Sequence, residues 1–211
     1  MNSISMKLYL ASGNPHKIRE IEELVGNSSL AFEVHSAAEV GGMPEVVEDT
    51  GTFVGNARKK AVALKSFLPS GAWALADDSG ICVDALGGAP GVESAYYAGE
   101  QSDDQANLVK LVESMRGVPA GQRGAHYVCV LVLLSPDDQE YLFEAKCEGS
   151  LADETQGTEG FGYDPFFIPQ GYNQTLGVLS AETKQKLSHR AKAWAELVAW
   201  SRRRRCLRPQ L

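Results

Sequence analysis

The chain has 211 residues, 44% apolar and 22% charged, enough to bury a substantial core as one domain over 1–211 with a basic tail at 201–211. Its net charge is −7, and without Arg202–Arg205 and Arg208 the rest carries −12, which argues against a broad nucleic-acid surface, since such surfaces neutralise phosphates with Lys and Arg. No run approaches the roughly 20 apolar residues of a membrane span, and no basic-then-apolar leader opens the chain, so a soluble cytoplasmic protein with neither nucleic acid nor membrane as partner is expected.

The opening segment MKLYLAS is a short apolar run of strand length, followed by GNP and by HKIREIEELV, whose Ile18, Ile21, Leu24 and Val25 mark one helical face. Asn14 suits the N-cap and Pro15 the first helical position. His16 and Lys17 then fall in the first turn, where the helix dipole disfavours cations; an anion held by the free N–H groups and the lysine accounts for them, and an ordinary surface lysine is the plain alternative. A strand around AFEVHSA, an acidic loop PEVVEDTG and a helix from about Asn56 to Leu68, with Ala57, Ala61, Leu64 and Leu68 inward, come next.

AWALA and ICVDAL read as strands on either side of a DDSG turn. SDDQ at 102–105 has capping-box spacing ahead of ANLVKLVESM, with Leu108, Leu111, Val112 and Met115 buried. AHYVCVLVLL and YLFEAKCEGSL around SPDDQE form the strongest hairpin signal, so the sheet is expected to mix parallel and antiparallel strands in an α/β fold. Cys82, Cys129, Cys147 and Cys206 lack CxxC or metal spacing and read as small buried hydrophobes.

In one continuous final helix, His189 and Arg190 would point about 140° and 240° away from Lys184, so the three could not share a ligand. Ser188 is a good N-cap, and a break near Leu187 is therefore predicted, with His189 and Arg190 opening a second helix that turns Trp194, Leu197 and Val198 inward. The arginine run after it reads as a solvated, frayed tail.

ADDSGICVD at 76–84 holds three carboxylates in nine residues. A surface turn explains them blandly. Together with Glu48 and Asp49 they also suit Mg²⁺, which takes one or two carboxylates and completes its shell with water and phosphate oxygens. Lys17, Lys184 and Arg190 suit the phosphates. These parts describe phosphoryl transfer or phosphoanhydride hydrolysis; neither a P-loop nor a GxGxxG fingerprint is present, so the usual nucleotide-binding folds are not expected, and no GxSxG elbow points to a hydrolytic triad.

ASGNPHKIREIEEL, ADDSGICVDALGGAPGVESAYYAGE, EGFGYDPFFIP and SHRAKAWAEL, in this order over roughly 6–198, resemble the inosine/xanthosine triphosphate pyrophosphatases, the Ham1-like family. The resemblance implies a two-lobed α/β protein with a long mixed sheet, flanking helices and a deep cleft between the lobes, usually a homodimer. It implies Mg²⁺-dependent cleavage of ITP, dITP and XTP between the α and β phosphates, giving monophosphate and pyrophosphate and clearing the nucleotide pool. A pyrophosphatase for other modified nucleotides, of the Maf type, is the alternative; GFGYDP and SHR argue against it.

Carried over by position, the phosphate loop falls on Ser12, Gly13, Asn14, Pro15, His16 and Lys17. The catalytic acid and metal ligand falls on Asp78, with Ser79 beside the substrate, Glu48 as the further metal ligand and Asp49 in reserve. Base and sugar contacts fall on Phe161, Gly162, Tyr163 and Asp164, completed by Lys184, His189 and Arg190. Asp77 reads as a helper or a turn acceptor and Asp84 as structural. Tyr96, Gly55, Gln156 and Val178 depart from the family pattern.

Overall fold

The computed structural model describes residues 6–26, 32–99 and 103–206, the last two without their side chains. Strands β1 (Met6–Ala11), β2 (Phe32–Ser36), β3 (Trp73–Val83), β4 (Gly124–Leu134), β5 (Glu140–Leu151) and β6 (Phe167–Pro169) form one sheet in the order β2-β1-β3-β4-β5-β6. The helices are α1 (Pro15–Gly26), α2 (Phe53–Lys65), α3 (Asp104–Ser114), α4 (Ala181–Leu187) and α5 (His189–Cys206). β1 pairs parallel with β2 and with β3, and β5 pairs antiparallel with β6. β4 and β5 are neighbours joined through Ser135–Gln139, where Ser135 N donates to Gln139 O at 3.0 Å. So short a connection joins antiparallel strands, and the sheet is mixed as the hairpin signal required.

Two compact units divide the chain. One holds the chain up to Asp78, Val130–Glu144 and the part from Ala193 on; the other holds Ser79–Cys129 and Ala145–Lys192. In the first, Leu8, Leu10, Leu64, Leu75, Leu131, Leu133 and Leu197 are buried. In the second, Ile81, Leu111, Met115, Tyr127, Phe166 and Phe167 belong to one apolar cluster.

Local chemistry explains most helix ends. Asn14 Oδ1 accepts from His16 N at 2.9 Å and Lys17 N at 3.2 Å, capping α1 as expected. Thr52 caps α2 by accepting from Gly55 N at 3.1 Å, so this helix starts before Asn56 and stops at Lys65, leaving Leu68 beyond it. A Cβ on Gly55 would lie 2.3 Å from Thr50 Oγ1, which explains a glycine at that departure from the family pattern. Asp103 caps α3; the capping box expected on Ser102 lies outside the described residues. Ser188 separates α4 from α5 in an extended conformation (φ −65°, ψ 152°), its hydroxyl accepting from Ala191 N at 3.1 Å, and Trp194, Leu197 and Val198 are buried. The predicted break is present.

Two expectations are corrected. DDSG is not a turn but the middle of β3, which runs unbroken from Trp73 to Val83. Local turn propensity loses here to sheet pairing on both sides and to lysines that meet the acids. Gly80 serves close approach instead of a bend: a Cβ there would lie 2.3 Å from Gly91 O and 2.4 Å from Ser94 Oγ. The arginine run is not a frayed tail over its described part, since α5 continues to Cys206. Cations at a helix C-terminus are favoured by the dipole. Arg204 also lies 4.8 Å from the Tyr141 ring, 5.1 Å from Trp200 and 5.9 Å from Trp73. Each such contact is worth about 0.5–1 kcal/mol at an exposed site. Arg204→Ala is therefore expected to lower stability by about 1 kcal/mol and the melting temperature by roughly 2–4 °C; a melt identical to the wild type by tryptophan fluorescence would return the run to the frayed-tail reading.

Among the described residues no helix is long and apolar enough to cross a membrane. Cys82, Cys129 and Cys147 are free thiols; the last two are buried and Cys82 is half-buried.

Candidate active site

Successive residues of a strand point to opposite faces, so the adjacent acids Asp77 and Asp78 face apart. Each meets a lysine. Asp77, its side chain wholly buried, pairs with Lys17 of α1 at 2.8 Å. Asp78 Oδ1 accepts from Lys60 of α2 at 2.7 Å, and the same ammonium reaches Glu48 at 3.0 Å. The repulsion between neighbouring carboxylates is thereby divided between two cations on two helices.

Asp78 Oδ2 is buried and has no hydrogen-bond partner. Burial pushes the Asp78 carboxyl up to about 6 against the pull of Lys60 and Lys17, with Glu48 adding to the rise. Burial also works against the charge of Lys60, but the carboxylates of Asp78 and Glu48 outweigh it and hold that ammonium above its ordinary pKa. Asp49 instead hydrogen-bonds Lys59, whose ammonium also reaches Val47 O at 3.1 Å. Of the two acids weighed for the second ligand, Glu48 is the one that shares a lysine with Asp78.

Lys60 was not among the residues singled out from sequence, although a signal existed. Ala57, Ala61 and Leu64 are buried at helical spacing, which puts position 60 on the inward face. A lysine there requires a buried anion. Ser12 and Asn14 shape the start of α1: Ser12 Oγ accepts from Asn14 N at 3.2 Å. Gly13 and Pro15 are exposed and His16 is half-buried.

The second unit gathers the other residues. Asp164, 3% exposed, accepts at Oδ2 from Lys184 Nζ at 2.6 Å and from Phe161 N at 2.9 Å, and at Oδ1 from Tyr127 Oη at 3.3 Å. Lys184 Nζ also sits 4.8 Å from the Phe161 ring centre. Gly162 between them has φ 58°, a conformation glycine tolerates without strain. Tyr163 points elsewhere: it is buried and its hydroxyl donates to Ser94 O at 2.7 Å, with burial raising its pKa and keeping it a donor. In the first turn of α5, Arg190 is buried and donates to Ser79 Oγ at 2.8 Å, while His189 stacks on Tyr127 with ring centres 4.7 Å apart and planes 6° from parallel.

Residues 8–200 match the model of the Ham1 family. The chain belongs to the Ham1 family. It is 54% identical over 202 residues to a dITP/XTP pyrophosphatase of Opitutus terrae, spanning 94% of this chain and 100% of the relative. It is 40% identical over 194 residues to a protein of the same name from Bacillus subtilis, spanning 92% and 96%. The Ham1 protein structure from Staphylococcus aureus matches with a TM-score of 0.80 and 35% identity over 92% of this chain and 97% of that one.

For a divalent ion, this Ham1 chain offers a small set of donors. Among the described residues no group of three or more metal-ligating side chains occurs. Glu48 and Asp78 together suit an ion that takes one or two carboxylates and fills its shell with water and phosphate oxygens, as Mg²⁺ does. A buried carboxylate oxygen without a hydrogen-bond partner, Asp78 Oδ2, fits a cation ligand. Among the family departures, Tyr96 and Val178 are exposed, and Gln156 enters through its backbone, which accepts from Thr175 Oγ1 at 2.7 Å.

Proposed function

We propose that this chain hydrolyses dITP, ITP and XTP to the nucleoside monophosphate and pyrophosphate, as a cytoplasmic homodimer that clears non-canonical purines from the nucleotide pool. The observation that carries the reading is Asp78: a buried carboxylate, one oxygen on Lys60 and the other unpaired, in a Ham1 chain whose relatives are named dITP/XTP pyrophosphatases.

In this reading Asp78 and Glu48 would hold Mg²⁺, which would neutralise phosphate charge and lower the pKa of water. Asp78 takes the proton from the water that attacks the α-phosphorus; the bond from that phosphorus to the bridging oxygen breaks and pyrophosphate leaves. Because the metal would acidify that water, a carboxylate of ordinary basicity suffices to take its proton. Lys17 and the capped start of α1, from Ser12 to Lys17, hold phosphate oxygens. Phe161 stacks on the base and Lys184 faces the base and sugar.

Hypoxanthine and xanthine present a carbonyl at position 6 where adenine presents an amino group. Donors from His189 or Arg190 bond the first and are left unpaired by the second, a rejection that reaches about 10⁴-fold in sites built this way. The test is incubation with dITP, XTP, GTP and ATP, with and without Mg²⁺, and identification of the products. Pyrophosphate from dITP and XTP but not from ATP, and only with the metal, is the expected result. Orthophosphate release, or turnover confined to modified pyrimidine triphosphates added to the panel, overturns it.

A further inference from the structure

We propose that Tyr127 is a positioning residue for base recognition, its ring fixing the plane of the His189 imidazole. The inference rests on the preceding reading of His189 as a substrate-facing group.

Tyr127 projects from β4, is 7% exposed, and is itself held by an edge contact from Phe167 at 4.8 Å and 69°. Its flat face is parallel to the His189 ring within 6° at 4.7 Å. Its hydroxyl, which must find a partner once buried, reaches Asp164 Oδ1 at 3.3 Å. The other oxygen of Asp164 takes both Lys184 Nζ and Phe161 N. One side chain of the sheet thus touches two separate pieces of chain, the first turn of α5 and the loop that carries Phe161.

The physical consequence follows from hydrogen-bond geometry. Imidazole N–H groups lie in the ring plane, and a hydrogen bond weakens steeply as its angle closes toward about 120°. A donor meant to tell a 6-carbonyl from a 6-amino group therefore needs its plane set in advance, and a stacked neighbour on a rigid strand sets it. Stacking of this kind is worth about 0.5–1.5 kcal/mol beyond burial, which is up to about tenfold in an equilibrium.

Tyr127→Leu is expected to raise KM for dITP and XTP about tenfold with kcat within about twofold, and to cut the preference over dATP about tenfold. Tyr127→Phe, which keeps the flat face and loses the hydroxyl, should hold that preference within about threefold. A leucine variant with wild-type KM and preference, a fall in kcat at unchanged KM, or a phenylalanine variant as poor as leucine overturns the proposal. Because loss of a buried ring can itself unfold the variant, the stack is also read in the unsubstituted protein. The His189 ring protons, assigned by their loss in His189→Asn, should be shifted upfield by the Tyr127 ring current in the NMR spectrum, and ordinary positions overturn the proposal whatever the variants do. Wild-type protein that releases no pyrophosphate from dITP or XTP sinks the functional reading and this inference with it; wild-type turnover with an insensitive Tyr127→Leu sinks this inference alone.

Discussion

Asp78→Asn reduces pyrophosphate release from dITP and XTP by about 10³-fold or more, because it removes a proton acceptor and one ligand charge together. The fold survives, because Lys60 keeps Glu48 as a partner. Asp78 titrates near 6 in the folded chain against an ordinary 3.8. Between those values the folded chain holds a proton that the unfolded chain has released, so the unfolding free energy of the wild type falls as pH rises from about 4 to 6 and stays low above. Asn carries no such proton. The stability of the variant relative to wild type should therefore rise by about 2–3 kcal/mol between pH 4 and pH 7. Urea unfolding of both proteins in EDTA at the two pH values measures it. A difference that does not change with pH shows that Asp78 is not destabilised by burial, and turnover that survives the substitution removes Asp78 from the chemistry.

Lys60→Met is expected to be the most destabilising of the changes considered. The ammonium is shared by Asp78 at 2.7 Å and Glu48 at 3.0 Å, with side-chain exposures of 11% for the lysine and 7% for Asp78. Removing one partner of a buried pair leaves an uncompensated charge and costs about 3–5 kcal/mol. For a chain of this size that lowers the melting temperature by roughly 6–20 °C in metal-free buffer. Mg²⁺ should restore part of the loss, since a dication can meet the two acids the lysine has left. The decisive measurement is the shift in melting temperature on adding Mg²⁺: larger in Lys60→Met than in wild type if Glu48 and Asp78 hold the ion, equal in both if they do not.

Much of the site was legible because its signals are local. Asn14 and Pro15 announced the start of α1 and Ser188 announced the break before His189, since capping depends on side chains within three residues of the helix end. β1, β2 and the β4–β5 hairpin followed from apolar runs and a turn.

What the sequence could not decide are the pairings between distant segments. DDSG has the composition of a turn, and only the strands on either side of β3, with lysines from two helices, keep it extended. Lys60 stood in plain view among four basic residues of α2 at 58–60 and 65, but its partners lie 18 and 12 residues away in the chain. Tyr127 read as one apolar residue of a strand, and its stack on His189 and bond to Asp164 exist only once β4, the Phe161 loop and α5 are folded together in their unit. Arg204 likewise needed Trp73, Tyr141 and Trp200 in place before a terminal charge became a packed one. The sequence by itself determined the family, the helix caps and the residue types of the site, because these are written in contiguous residues. The tertiary structure decided which carboxylate is left with an unpaired oxygen and which ring stacks on His189, because burial and charge pairing depend on what the fold brings alongside.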